Sequence, residues 1–302
     1  MRVVVGVGGN ALLRRGETPT VANQRRNVDA ATAALAPVVE AHDVVLTHGN
    51  GPQVGLLALQ DAAGDPELSQ PLDALGAQTE GLIGHVLAAS LRTRLPDTEL
   101  AVILTQVRVD ADDPAFGAPS KPIGPVYDEA TARRLATARG WSIGEDTGGW
   151  RRTVPSPVPV EVLELPTIRR LADAGVTLIC GGGGGIPVTR DASGALHGVE
   201  AVVDKDATSR LLAEALDAEL LLFLTDVDGV YRGFGTPDEE RIEQISAREL
   251  AALAEELPAG SIGPKARACA EFVQRTGGRA AIGALETAAQ IVAGRAGTRV
   301  HP

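Results

Sequence analysis

Lysine is scarce in this sequence: of 28 cationic side chains in 302 residues only Lys121, Lys205 and Lys265 are lysine, and the rest are arginine. Coding bias towards arginine accounts for a surface on which either cation serves. It also marks the three survivors as positions where a compact ammonium is needed and a planar guanidinium is no substitute. Cysteine is nearly as rare. Cys180 and Cys269 cannot form a disulfide framework, and with no export signal both thiols are expected to stay reduced. No apolar run approaches the roughly 18 residues of a bilayer span. The opening run 2–7 is too short for a secretory core. Membrane and export readings fall away, and a cytoplasmic protein is expected. A basic stripe is missing too: 28 − 39 gives a net charge of −11, which argues against a nucleic-acid partner. With 44% hydrophobic and 22% charged residues, a globular protein with a substantial core remains.

What is present alternates. Short β-branched runs take turns with segments of helical period, the signature of an α/β protein on a mainly parallel sheet. Strands are expected at 2–7, 43–47, 100–106, 176–180 and 219–225, with shorter ones near 279–283 and 298–300. Between them lie helices, the first repeating Val28, Ala31, Leu35, Val38 and Val39 on one face. Further helices are expected near 52–63, 72–95, 166–174, 207–216, 247–256 and 265–276. Residues 112–159 break this rhythm. They are rich in proline, hold both tryptophans (Trp141 and Trp150), show no regular sheet-forming run and carry Lys121. So long an insertion in a compact domain reads as a small functional lid.

Glycines gather where strands end. Gly8, Gly9 and Asn10 follow the first, His48, Gly49, Asn50 and Gly51 the second, and five glycines at 181–185 the fourth. One such pair is a tight turn. Three at equivalent strand ends predict a nest of bare backbone N–H groups for anionic oxygens, beyond the carboxyl ends where open parallel sheets bind ligands. A P-loop is excluded, because no lysine follows a glycine. The run from Gly6 to Ala11 fits G-x-G-x-x-A, but the second strand ends in Thr47 and His48 with no acid to hold a ribose, so hydride transfer has half a motif. Thr225 and Asp226, closing a buried strand, suit a nucleotide edge, with Tyr231 as a surface to pack on. Gly263 precedes Lys265, and a lysine opening a helix opposes the macrodipole unless a phosphate shares the place. Asp204-Lys205-Asp206 reads either as a helix cap with a charged first turn or as a lysine held ready for a phosphoryl group, Asp206 orienting the cations.

Together these segments resemble the carbamate kinases of the amino acid kinase superfamily, nearly end to end: GVGGNAL, HGNGPQVG, SKPIGPVYDEA, GWRRTVPSP, GGGGGIPV, EAVVDKDA, LTDVDGVYRGFGTP, GSIGPKARA and a closing AGT. The resemblance implies a three-layer αβα sandwich with a mainly parallel sheet and a protruding subdomain at 112–159. A carbamate and phosphoryl lobe would cover about 1–216 and a nucleotide lobe about 217–302. It implies reversible transfer of a phosphoryl group between ATP and carbamate, with ATP formed in arginine breakdown. Many superfamily members carry a lysine in the first strand; Gly6 stands there, and in carbamate kinases a lysine of the protruding subdomain, here Lys121, serves instead. By the same resemblance Gly8, Gly9, Asn10, Gly49, Asn50 and Gly51 cradle carbamate and the phosphoryl group, and Lys121 and Lys205 neutralise it. Asp206 orders the lysines, Lys265 grips the nucleotide phosphates and Arg152 steers the small anion. Mg²⁺ accompanies the nucleotide with no site built from protein alone, and a homodimer is implied. Carbamate is already an anionic nucleophile, so His48 reads as a structural hydrogen bonder and not as a base. An acetylglutamate-type kinase and a non-catalytic nucleotide or carbamoyl phosphate sensor are the rivals.

Overall fold

In the computed structural model the described residues are 1–13, 17, 18, 20–146, 148–257 and 262–302, with backbone alone at 10, 11 and 66. Along the chain, β1 (Arg2–Val7) leads through the short α1 (Gly9–Leu12) and α2 (Val21–Ala41) to β2 (Asp43–His48). Next come α3 (Gly51–Ala63), α4 (Leu72–Arg94), β3 (Leu100–Val102) and β4 (Gln106–Val109). The insertion contributes β5 (Lys121–Tyr127), α5 (Glu129–Arg139), β6 (Ser142–Asp146) and β7 (Gly149–Val154). The chain returns through β8 (Pro159–Val162), α6 (Leu165–Asp173), β9 (Thr177–Ile179), β10 (Ile186–Arg190), β11 (Leu196–Gly198) and α7 (Lys205–Ala215). It ends with β12 (Leu220–Thr225), β13 (Val230–Arg232), β14 (Glu240–Ile242), β15 (Gln244–Ser246), α8 (Ala247–Ala254), α9 (Ile262–Thr276), β16 (Arg279–Ala284), α10 (Ala288–Val292) and β17 (Thr298–His301).

The main sheet runs β15-β17-β16-β12-β1-β2-β9-β3 and is parallel from β16 to β3; β17 pairs antiparallel with β16. Its central strands are buried on both faces. Val3, Val5, Val44, Leu46, Leu220 and Leu222 share one core with Val28 of α2, Leu87 of α4 and Ile291 of α10. Val4, Val45, Leu221 and Phe223 share the other with Leu212 of α7, Leu250 of α8 and Phe272 of α9. This is the αβα sandwich. Two-sided burial also explains why these strands read as unbroken hydrophobic runs. Both cysteines are buried thiols, and burial pushes them up, so neither is a reactive nucleophile. Among the described residues no helix is long and apolar enough to cross a membrane.

Two sequence expectations are corrected. The strand expected at 100–106 is two strands in different sheets, β3 on the edge of the main sheet and β4 in a four-stranded sheet ordered β11-β10-β4-β8. The chain leaves the first at Thr105, whose N–H donates to the Glu80 carboxylate (3.3 Å) and whose hydroxyl turns back to the Ile103 carbonyl (2.9 Å). Residues 112–159 are not irregular: they contain the antiparallel sheet β5-β7-β6 with α5. Those strands, KPIGPVY, SIGED and GWRRTV, are mostly half-exposed, and their proline, glycine and charge hide a strand from a hydrophobic pattern. α5 is set by the Asp128 cap, which accepts from Thr131 N at 2.8 Å, and is stopped by Gly140 at φ +66°.

Candidate active site

The three lysines, scattered over 145 residues of sequence (265 − 121 = 144 steps), meet around two aspartates. Asp204 caps α7, its Oδ1 accepting the N–H groups of Asp206 (2.8 Å) and Ala207 (3.2 Å). Its other oxygen takes the Lys121 ammonium, which arrives from the inserted sheet. Lys205 Nζ lies 2.6 Å from Asp206 Oδ1, and Lys265 Nζ, from the first turn of α9, donates to Asp206 Oδ2 at 3.2 Å. Lys205, Asp206 and Lys265 are each buried. Three cations against two anions leave one net positive charge in a desolvated place, a local exception to the chain's overall −11. Burial pushes the Lys205 ammonium down in pKa, partly opposed by Asp206 and reinforced by Lys265. Burial acts the same way on Lys121, but the charge and hydrogen bond of Asp204 outweigh it and hold Lys121 above its ordinary value. Burial would raise Asp204; Lys121 foremost, with Lys265 and Lys205, holds it well below the usual carboxylate range.

The glycine-rich strand ends adjoin this cluster less simply than the sequence suggests. β1, β2 and β9 are neighbours, so their mouths are too. A Cβ on Gly49 would stand 2.8 Å from Gly9 N, so the first two mouths touch backbone to backbone. The N–H groups of Gly8 and Gly49 are not offered to a ligand: they donate to Leu224 O (2.9 Å) and Val7 O (3.0 Å). The N–H groups of the helix first turns, Gly9 in α1 and Gly51 in α3, have no intrahelical partner. Asn10 contributes backbone to α1, and its side chain lies outside the description. Asn50 is buried and donates to Thr79 Oγ1 at 2.9 Å. The five glycines at 181–185 are mostly spent internally. Gly181 donates to Thr105 Oγ1, Gly182 to Glu80 Oε1, Gly184 to Gly181 O and Gly185 to Gly182 O. Their purpose is close packing: a Cβ on Gly183 would fall 2.1 Å from Asn50 Nδ2, and one on Gly182 2.3 Å from His48 Nε2.

At the end of β12, Thr225 Oγ1 donates to Asp226 Oδ1 at 3.0 Å. A Cβ on Gly8 would lie 4.0 Å from Thr225 Cα, so the first mouth adjoins this edge. Tyr231 donates to Asp228 Oδ1 at 2.6 Å and stands edge-on to Phe234, ring centroids 5.6 Å apart. Gly263 is buried in the first turn of α9, two residues before Lys265, and Gly260 and Ser261 lie outside the described residues.

The model of the amino acid kinase family matches residues 1–283. The chain belongs to that family. This kinase is 49% identical to a carbamate kinase of Rhizobium meliloti over 99% of its own length and 92% of the relative's. It is 46% identical to that of Haemophilus influenzae, over 99% and 96%. A solved carbamate kinase from Giardia lamblia bound to AMP-PNP superposes at a TM-score of 0.90 with 39% identity, covering 99% of this chain and 98% of that one. Another from the same organism, bound to citric acid, superposes at 0.93 with 38% identity over the same shares. The kinase is thus a phosphotransferase of the carbamate kinase group.

Gly6 gains a reason in this kinase. A Cβ there would fall 2.5 Å from the Phe223 ring and 3.2 Å from Lys205 Nζ, and the Lys205 ammonium lies 5.0 Å from the centroid of that ring. The first strand is bare at this point because Phe223 and Lys205 occupy the space. Arg152 is not part of the lysine cluster. Its guanidinium stacks 5.0 Å over Trp141, and the charges that bear on it are Glu200 and Arg139, not Asp204 or Asp206. His48 is buried, and burial lowers it to about 4, so it is neutral at pH 7; its Nδ1 sits 3.3 Å from the Gly49 carbonyl. Sequence reasoning missed Asp204 as the partner of Lys121, because 83 residues separate them, and it missed Glu80 altogether. Burial raises Glu80 to about 8, and it braces Gly182 and Thr105 behind the cradle. An acid at mid-helix carries no local signal of such a task.

Proposed function

We propose that this site transfers a phosphoryl group between ATP and carbamate, giving ADP and carbamoyl phosphate, with the physiological direction towards ATP. The observation that carries the reading is the cluster of three ammonium groups around two carboxylates, next to β1, where a Cβ built on Gly6 would lie 3.2 Å from Lys205 Nζ. Such transfers ask for positioning and charge stabilisation more than for covalent chemistry, and among the described residues this site has cations and N–H groups but no activated nucleophile. A carbamate oxygen attacks the γ-phosphorus, the bond to the β–γ bridging oxygen breaks, and that electron pair leaves with ADP. In the reverse direction ADP attacks carbamoyl phosphate. Gly9, Asn10 and Gly51 cradle the transferring group from one side, with Asn50 fixing the turn between β2 and α3. Gly8 and Gly49 act by their lack of side chains. Lys205 and Lys121 neutralise the equatorial oxygens, Lys265 holds the nucleotide phosphates, and Asp206 keeps Lys205 and Lys265 apart at a fixed spacing. Thr225, Asp226, Tyr231 and Gly263 border the nucleotide. Carbamate needs no deprotonation, and a neutral His48 agrees with that.

Among the described residues no three His, Cys, Asp or Glu side chains gather as a metal site. A Mg²⁺ ion would come in with the nucleotide and neutralise charge on its phosphates. We place the protein in the cytoplasm as a homodimer. The direct test is ATP formation from ADP and carbamoyl phosphate in a coupled assay. Turnover supports the reading; no turnover, with acetylglutamate phosphorylated instead or ligands bound without reaction, overturns it. Lys121→Arg is expected to lower kcat about tenfold or more in that assay, because the planar fork cannot occupy the place of a point charge against Asp204. An unimpaired variant removes Lys121 from the mechanism.

A further inference from the structure

α3 starts at the cradle with Gly51, and one turn later its surface meets β5 of the insertion. At the contact of Gly55 with Gly124 neither partner has a side chain. A Cβ built on Gly55 would stand 2.0 Å from both N and Cα of Gly124 and 3.2 Å from the carbonyl carbon of Ile123, where carbon atoms ordinarily rest about 3.5–4.0 Å apart. Gly124 itself has φ +75°, at the point where the β5–β7 register shifts. The neighbouring Ile123 is buried with Val54 and Ala58 of α3, Leu72 and Leu75 of α4, and Val154 of β7, so a small core backs the seat on the Ile123 side. Glycine inside a helix is less favourable than alanine, so this one has a reason to be there, and the backbone contact supplies it. Three residues before Gly124 on the same strand, Lys121 reaches Asp204, the cap of α7. The separation of α3 and β5 is therefore transmitted along one strand to one of the three cations.

We propose that Gly55 is a positioning residue for phosphoryl transfer: its missing side chain sets how deeply the inserted sheet seats on α3, and so where the Lys121 ammonium stands. The proposal rests on the reading that Lys121 serves the transferring group. In Gly55→Ala the new Cβ must gain about 1.5 Å (3.5 − 2.0), and because the obstacle is the Gly124 backbone, α3 and β5 must separate. Misplacement on that scale costs about a hundredfold in kcat, while KM for ADP stays near the wild-type value because the nucleotide edge is untouched. Both tryptophans lie on the insertion, and Trp141 borders the same depression as Gly55, so acrylamide quenching of intrinsic fluorescence should rise in the variant. The deciding measurement is the double variant. In a Lys121→Ala background, Gly55→Ala should lower kcat no further. A Gly55→Ala enzyme with wild-type kcat and quenching overturns the proposal, and so does a loss that adds in full to that of Lys121→Ala. If Lys121→Ala alone turns over normally, the assignment of Lys121 has failed; if it is impaired while Gly55→Ala is not, only the positioning role has. Should Gly55→Ala not fold, Gly124→Ala strains the seat from the other side, since its Cβ makes ordinary contact (3.6 Å) with Gly55 Cα but must adopt φ +75°, and the same non-additivity with Lys121→Ala is required.

Discussion

Lys205→Ala is expected to lower kcat for ATP formation by about a hundred- to a thousandfold, the scale on which one preorganised charge contact acts at a phosphoryl centre. Lys205 is closely enclosed: Phe223 lies beneath its ammonium, Asp206 beside it, and Gly6 leaves it room. Low polarity around it magnifies what its charge does to a developing phosphoryl anion. The fold should survive, since a buried charge is removed and Asp206 still holds Lys265. KM for ADP should therefore move much less than kcat, and a split in the opposite sense would transfer Lys205 to nucleotide binding. A variant with near-normal kcat would remove the ammonium cluster from the chemistry.

Asp206→Asn tests the other half of the arrangement. The substitution keeps shape and removes the one negative charge shared by Lys205 and Lys265, so two buried ammonium groups remain without it. Removing one partner of a buried ion pair costs about 3–5 kcal/mol, and urea unfolding should show a loss on that order. Burial already pushes Lys205 down, with Asp206 opposing; without that opposition Lys205 loses its proton at still lower pH. The alkaline fall in kcat should accordingly begin at lower pH than in the wild type. Carbamoyl phosphate or inorganic phosphate supplies the missing negative charge and should return part of the lost stability. Unchanged urea midpoints with and without phosphate would show that Asp206 does not balance the lysines.

The central sheet was legible because β1, β2 and β12 are buried on both faces and so carry unbroken hydrophobic runs. The insertion was legible as a unit but not as a sheet, because β5–β7 bury little and show no periodicity. Lys121, Lys205 and Lys265 stood out by rarity, and the structure brings them together. Arg152 stood out only through its motif, and its guanidinium stacks on Trp141, outside the lysine cluster. The glycines were legible as close approach but not as donors: whether an N–H faces a ligand or, as at Gly8 and Gly49, a neighbouring carbonyl depends on strand order, which composition does not encode. Asp204, Glu80 and Gly55 act across 83, 102 and 69 residues of sequence, on Lys121, Gly182 and Gly124. No local pattern reports a partner so distant.

The gathering of every lysine at one place has a chemical corollary. Acylating or aldehyde reagents that seek primary amines meet arginine over the rest of this protein, so apart from the amino terminus each adduct would land in the pocket. Lys121, about a third exposed, is the one of the three that such a reagent meets from solvent. In such a molecule bulk tagging becomes site-directed without any engineering.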